Sequence, residues 1–139
     1  MVKKSTKQNK IKTVLFIDDE PMWLEAVRLS LMDEKFKIIT ANDGETALKK
    51  LHQKKPDLIM SDVRMPNMNG FDLFLKVKSD PKFKNVPYVF MSSIDDYDAK
   101  KTAKELGANG YIEKPFDSEQ IKNVIVDFLS HLKSEQFGK

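Results

Sequence analysis

The chain has no cysteine. A disulfide framework and a thiolate metal site are both excluded, which suits a reducing, cytoplasmic setting. Long apolar runs are missing too. None approaches the ~20 residues needed to cross a bilayer, and the N-terminal stretch lacks the apolar core of a signal peptide. Net charge is scarce at +3. Lys3, Lys4, Lys7, Lys10 and Lys12 supply more than that excess, so the rest of the chain is slightly acidic. No aromatic or recognition-helix pattern accompanies the basic arm, so direct contact with nucleic acid is not supported. Residues 1–11 read as a disordered, solubilising leader. What remains is ordinary for one soluble globular domain: 139 residues, 40% hydrophobic and 32% charged, enough to bury a single core.

Strand-like and helix-like stretches alternate five times along the chain. Val14 to Ile17 is an apolar run of strand length, and Pro21 suits the first turn of a helix whose apolar face is Trp23, Leu24, Val27 and Leu31. Phe36 to Thr40 is β-rich and is broken by Asn42-Asp43-Gly44. Ala47, Leu48 and Leu51 then recur at helical spacing. Asp57 to Ser61 forms a third strand, and Phe71, Phe74, Leu75 and Lys78 trace a third helix stopped at Ser79-Asp80-Pro81. Val86 to Met91 is the fourth strand. Ala99 to Leu106 is a polar helix closed by Gly107, with Ala99, Thr102 and Ala103 facing inward, and Gly110 to Glu113 is a short fifth strand. Asp117 caps the last helix, with Gln120 at the capping-box position. Ile121, Val124, Ile125, Phe128, Leu129 and Leu132 form the cleanest amphipathic stripe.

Five βα units with short connections call for an α/β fold, a parallel sheet covered on both faces. The strand orders 2-1-3-4-5 and 3-2-1-4-5 would read alike. The positions of the acids favour the first. Asp18 and Asp19 follow the first strand, Asp62 the third, Ser92 the fourth and Lys114 the fifth. Side chains at the carboxyl ends of parallel strands converge on one crevice. With strands one and three adjacent, three acids meet there, opposite a hydroxyl and a lysine. Each group alone has a plainer reading: a helix cap for the paired acids, a loop residue for Asp62, an exposed Lys114, a turn former for Ser92. Their joint occurrence at four strand ends outweighs these, and describes a pocket for a divalent cation and a phosphoryl group.

Four segments carry a resemblance. Val14-Leu15-Phe16-Ile17-Asp18-Asp19-Glu20, Ser61-Asp62-Val63-Arg64-Met65-Pro66-Asn67-Met68-Asn69-Gly70, Phe90-Met91-Ser92-Ser93 and Tyr111-Ile112-Glu113-Lys114-Pro115-Phe116 resemble the signature segments of bacterial response-regulator receiver domains. The likeness runs over residues 12–132, leaving 133–139 as a tail. It implies a single doubly wound (βα)5 domain of order 2-1-3-4-5, the order for which the chemotaxis receiver is a standard example. It also implies transfer of a phosphoryl group onto Asp62 from a histidine kinase or histidine phosphotransfer protein. Such a domain is a phosphoacceptor that promotes its own phosphorylation and dephosphorylation, not an enzyme acting on a free substrate.

The chemistry of each residue can be argued beside that resemblance. Mg²⁺ takes octahedral oxygen ligands and keeps several waters, so a few carboxylates suffice. Asp19 and Asp62 are expected as direct ligands and Asp18 as one acting through a water. The backbone carbonyl of Arg64 completes the set, by the receiver pattern. Lys114 balances the phosphoryl charge as a point cation, and Ser92 donates to a phosphoryl oxygen. Tyr111 resembles the aromatic switch residue that moves with Ser92, and Lys114-Pro115 matches a position where the bond is often cis. The side chain of Arg64 is a candidate for tuning the lifetime of the phosphorylated state. An unknown downstream protein is expected on the face made by the fourth helix, fifth strand and fifth helix.

Other readings remain. The chain is expected to be a stand-alone receiver, the alternative being a receiver from a longer regulator or hybrid kinase. A Mg²⁺-dependent phosphohydrolase of the haloacid-dehalogenase type would want an aspartate where Arg64 stands, and a cap domain besides. A flavodoxin-like cofactor binder would need a Ser-, Thr- and Gly-rich loop after the first strand, where Asp18 and Asp19 would repel a flavin phosphate.

Overall fold

The computed structural model describes residues 11–130. The expected leader up to residue 10, Leu132 and the tail at 133–139 lie outside them. Five strands, β1 (Lys12–Ile17), β2 (Phe36–Ala41), β3 (Leu58–Asp62), β4 (Tyr88–Ser93) and β5 (Gly110–Lys114), form one parallel sheet. Its order is β2-β1-β3-β4-β5, the one that the positions of the acids favoured. The helices are α1 (Pro21–Ser30), α2 (Gly44–Gln53), α3 (Gly70–Lys78), α4 (Tyr97–Leu106) and α5 (Ser118–Ser130).

The strands read as unbroken apolar runs because both faces of the sheet are covered. Successive side chains alternate between two cores. Leu15, Ile17, Ile59, Tyr88 and Phe90 pack with Ala47 and Leu51 of α2, Leu73, Phe74 and Val77 of α3, and Ala99 and Ala103 of α4. Val14, Phe16, Leu58, Met60, Val89 and Met91 pack with Leu24 and Val27 of α1 and Ile121, Ile125 and Phe128 of α5. α4 contributes only two alanines to full burial, so it is held by less apolar area than its neighbours.

Three local readings are corrected. The buried stripe of α3 is Gly70, Leu73, Phe74 and Val77, an i, i+3, i+4, i+7 pattern, while Leu75 points outward at 55% exposed. β4 begins at Tyr88, not Val86, because Pro87 has no amide hydrogen to enter the ladder. The strand also runs on through Ser93, paired with Lys114, so Ser92 is its penultimate residue and not the first one past it. α4 starts at Tyr97, ahead of Ala99, because Asp96 caps it by accepting the Ala99 amide at 3.2 Å. The capping box of α5 is as expected: Asp117 accepts from the Gln120 amide at 2.8 Å, and Gln120 accepts from the Asp117 amide at 2.9 Å.

Candidate functional site

Strand register builds the site. Ile17 of β1 lies opposite Ser61 of β3, so Asp18 and Asp62, each one residue on, leave neighbouring strand ends side by side. Asp62 in turn lies opposite Met91 of β4, and Ser93 opposite Lys114 of β5. Asp18, Asp19 and Asp62 offer carboxylate oxygens within 4.8 Å of one another. Asp18 and Asp62 are buried and Asp19 is half-buried.

Lys114 reaches this cluster from β5. Its Nζ donates to Asp18 Oδ2 at 2.6 Å and lies 3.4 Å from Asp62 Oδ2. The other oxygen of Asp18 accepts the Glu20 amide at 3.0 Å, so both carboxylate oxygens are engaged by the protein. Trp23 flanks the lysine, its ring centre 6.0 Å from Nζ, and stands edge-on to Phe116 at 5.2 Å. The Lys114–Pro115 peptide bond is cis.

Charge is unbalanced here. Three carboxylates face one ammonium. Burial, and next the charge of Asp18, push the Asp62 carboxyl up to about 6, although Lys114 pulls the other way. Burial disfavours the Lys114 ammonium, yet its bond to Asp18 and the nearby acids hold its pKa above the ordinary value. The surplus negative charge and the all-oxygen donor set suit a hard divalent cation such as Mg²⁺.

On the far side, Asp96 gathers what the sequence placed separately. The buried Ser92 hydroxyl donates to Asp96 Oδ2 at 2.9 Å. The Arg64 guanidinium forms a fork on the same carboxylate, Nε to Oδ2 at 2.8 Å and Nη2 to Oδ1 at 2.9 Å. The Arg64 side chain therefore points toward α4. Tyr111, half-buried on β5, packs against the core next to α4. Burial is the first cause of its raised phenol pKa, and Ser92 acts on it in the opposite direction. Asp18, Asp19, Asp62 and Lys114 are thus brought together as expected, while Ser92 is turned to a partner that sequence reading missed. The signal for Asp96 was its place as an N-cap, obscured by starting the helix too late.

Comparison with known proteins follows this geometry. A sequence profile of the response regulator receiver domain matches residues 14–126. The chain is 31% identical over 125 residues to ycf27, a transcriptional regulator by name, of Guillardia theta, covering 90% of this chain and 48% of that protein. A response regulator of Chloroflexus aurantiacus superposes with a TM-score of 0.80 at 30% identity, covering 87% of this chain and 99% of that one. Chemotaxis protein CheY4 of Vibrio cholerae gives 0.79 at 30% identity, covering 85% and 98%. The chain spans about half the length, or less, of the curated relatives it matches.

Proposed function

Because the chain belongs to the response regulator receiver family of two-component signalling, we propose that Asp62 accepts a phosphoryl group from a phosphohistidine. The observation that carries this reading is the cluster itself: three acids with oxygens within 4.8 Å of one another, and Lys114 Nζ at 3.4 Å from Asp62.

Asp62 attacks phosphorus in line with the P–N bond of the donor. The new O–P bond forms as the P–N bond breaks, and the imidazole leaves with the bonding pair. Such transfers depend on positioning and on charge held near the equatorial oxygens. Lys114 supplies one fixed positive charge and, by its bond to Asp18, is oriented before the donor arrives. Asp19 and Asp62, with the backbone carbonyl of Arg64, would hold Mg²⁺, and Asp18, whose oxygens are both occupied, would act through a water. When bound, the cation neutralises the carboxylates and the charge that builds on the phosphoryl oxygens. Ser92 donates to a phosphoryl oxygen once turned from its present partner, and Tyr111 follows it. The face of α4, β5 and α5 then changes for a downstream protein, a local charge event biasing a bistable surface. Ile94 and Tyr97 stand exposed at the edge of that face, and α4 is lightly anchored.

The test is uptake of phosphate from acetyl phosphate with Mg²⁺ present. Wild type should be labelled on an acid-stable, base-labile acyl phosphate, and Asp62→Asn should take up none. Undiminished labelling of that variant would overturn the site. A histidine kinase or histidine phosphotransfer protein is the expected physiological donor.

A further inference from the structure

One carboxylate, Asp96, holds three groups from three parts of the chain. It takes the Ser92 hydroxyl of β4 at 2.9 Å, the Arg64 guanidinium of the loop after β3 at 2.8 and 2.9 Å, and the Ala99 amide of α4 at 3.2 Å. None of these contacts is needed to build the acid cluster, and only the last is needed to start the helix. We propose that Asp96 is a positioning residue for the phosphoryl site: the resting-state acceptor that keeps Ser92 turned away and must give it up when Asp62 is phosphorylated. This rests on the reading of Asp62 as the phosphoacceptor.

The physical basis is a limit of supply. A serine hydroxyl has a single proton to donate, so Ser92 can serve Asp96 or a phosphoryl oxygen, not both. Asp96 is a strong competitor because it is ionised: the fork from Arg64 fixes its charge and its orientation, and charge-assisted bonds exceed neutral ones. Its strength as an acceptor therefore opposes the phosphorylated state. The same carboxylate caps α4, so the departure of Ser92 is felt at the first turn of that helix. Arg64, two residues beyond Asp62, acts here through Asp96 alone, holding that carboxylate in place with its fork. Asp96 thus links the charge on Asp62 to the N-terminus of the helix that the receiver uses to signal.

The experiment measures binding of beryllofluoride, a phosphoryl mimic, by calorimetry in excess Mg²⁺. The proteins are wild type, Asp96→Asn, Ser92→Ala and the double variant. Asparagine caps helices about as well as aspartate but carries no charge, so α4 should remain capped. Asp96→Asn is expected to bind beryllofluoride about tenfold more tightly, equivalent to about 1.4 kcal/mol, and that gain should vanish when Ser92 is alanine. Unchanged or weaker binding by Asp96→Asn would overturn the proposal. So would a gain that survives Ser92→Ala, since removing one nearby negative charge could by itself favour an anion. If the asparagine variant does not fold, Asp96→Ser, another good cap without charge, takes its place with the same expectations. Failure of wild type itself to bind beryllofluoride would instead count against Asp62 as phosphoacceptor.

Discussion

Asp62 carries the cost of the site. Its folded-state carboxyl titrates near 6, chiefly because it is buried, against an ordinary value of 3.8. Between those values the folded chain holds more protons than the unfolded one, so stability falls as pH rises through that window. Well above pH 6 the loss is complete and amounts to up to about 3 kcal/mol. Asp62→Asn should therefore be more stable than wild type at pH 7.5 in a chelating buffer, and no more stable at pH 4. Urea unfolding at the two values checks this, and equal stability at pH 7.5 would count against it. Lys114 has the opposite sense. Its 2.6 Å bond to Asp18 is the direct compensation of a fully buried carboxylate. Lys114→Met should cost about 2 kcal/mol in urea unfolding at pH 7.5, as for loss of a hydrogen bond to a charged group.

At the scale of elements, the loop from β3 into α3 sets where Asp62 points. The Gly70 amide donates to Val63 O at 2.8 Å, which folds the loop back on its own strand. A β-carbon at Gly70 would stand 2.3 Å from the Asp62 carbonyl oxygen and 3.0 Å from Val63 Cα, both backbone atoms that cannot step aside. Gly70→Ala is expected to cost about 2 kcal/mol, in the range for overpacking, and to weaken Mg²⁺ binding because the Asp62 carboxylate moves with its carbonyl. Gly107 is a contrast. It ends α4 at φ 86°, with open space where a side chain would go. Gly107→Ala should cost only about 1 kcal/mol, from the left-handed backbone alone, with Mg²⁺ affinity unchanged. Thermal unfolding with calorimetric Mg²⁺ titration separates the two cases.

For the whole molecule, a ligand that binds the folded chain alone must stabilise it. Mg²⁺ at ten times its dissociation constant should add about 1.4 kcal/mol, and this gain should be absent from Asp62→Asn. A thermal shift series in Mg²⁺ and chelator tests it, and an equal shift in both proteins would place the cation elsewhere. The architecture behind this was largely legible. Continuous apolar runs at β1, β3 and β4 called for a sheet buried on both faces, and the acids after the first and third runs favoured those strands as neighbours. Less legible were the outward turn of Leu75 and the start of α4, because apolar content over so short a helix fits more than one stripe, and an Asp95-Asp96 pair offers two caps.

Local chemistry in the chain thus determined which residues could form the site. Asp18, Asp19, Asp62 and Lys114 each follow or end a strand-forming run, and parallel strands all deliver their carboxyl ends to one edge. What tertiary structure alone decided is how those groups share their partners. Both oxygens of Asp18 are spoken for, and Ser92 and Arg64 both turn to Asp96. Strand periodicity specifies where a backbone goes. The choice between two acceptors by one hydroxyl depends on rotamers and on charges brought close from residues 32 positions apart, and no local pattern encodes that distance.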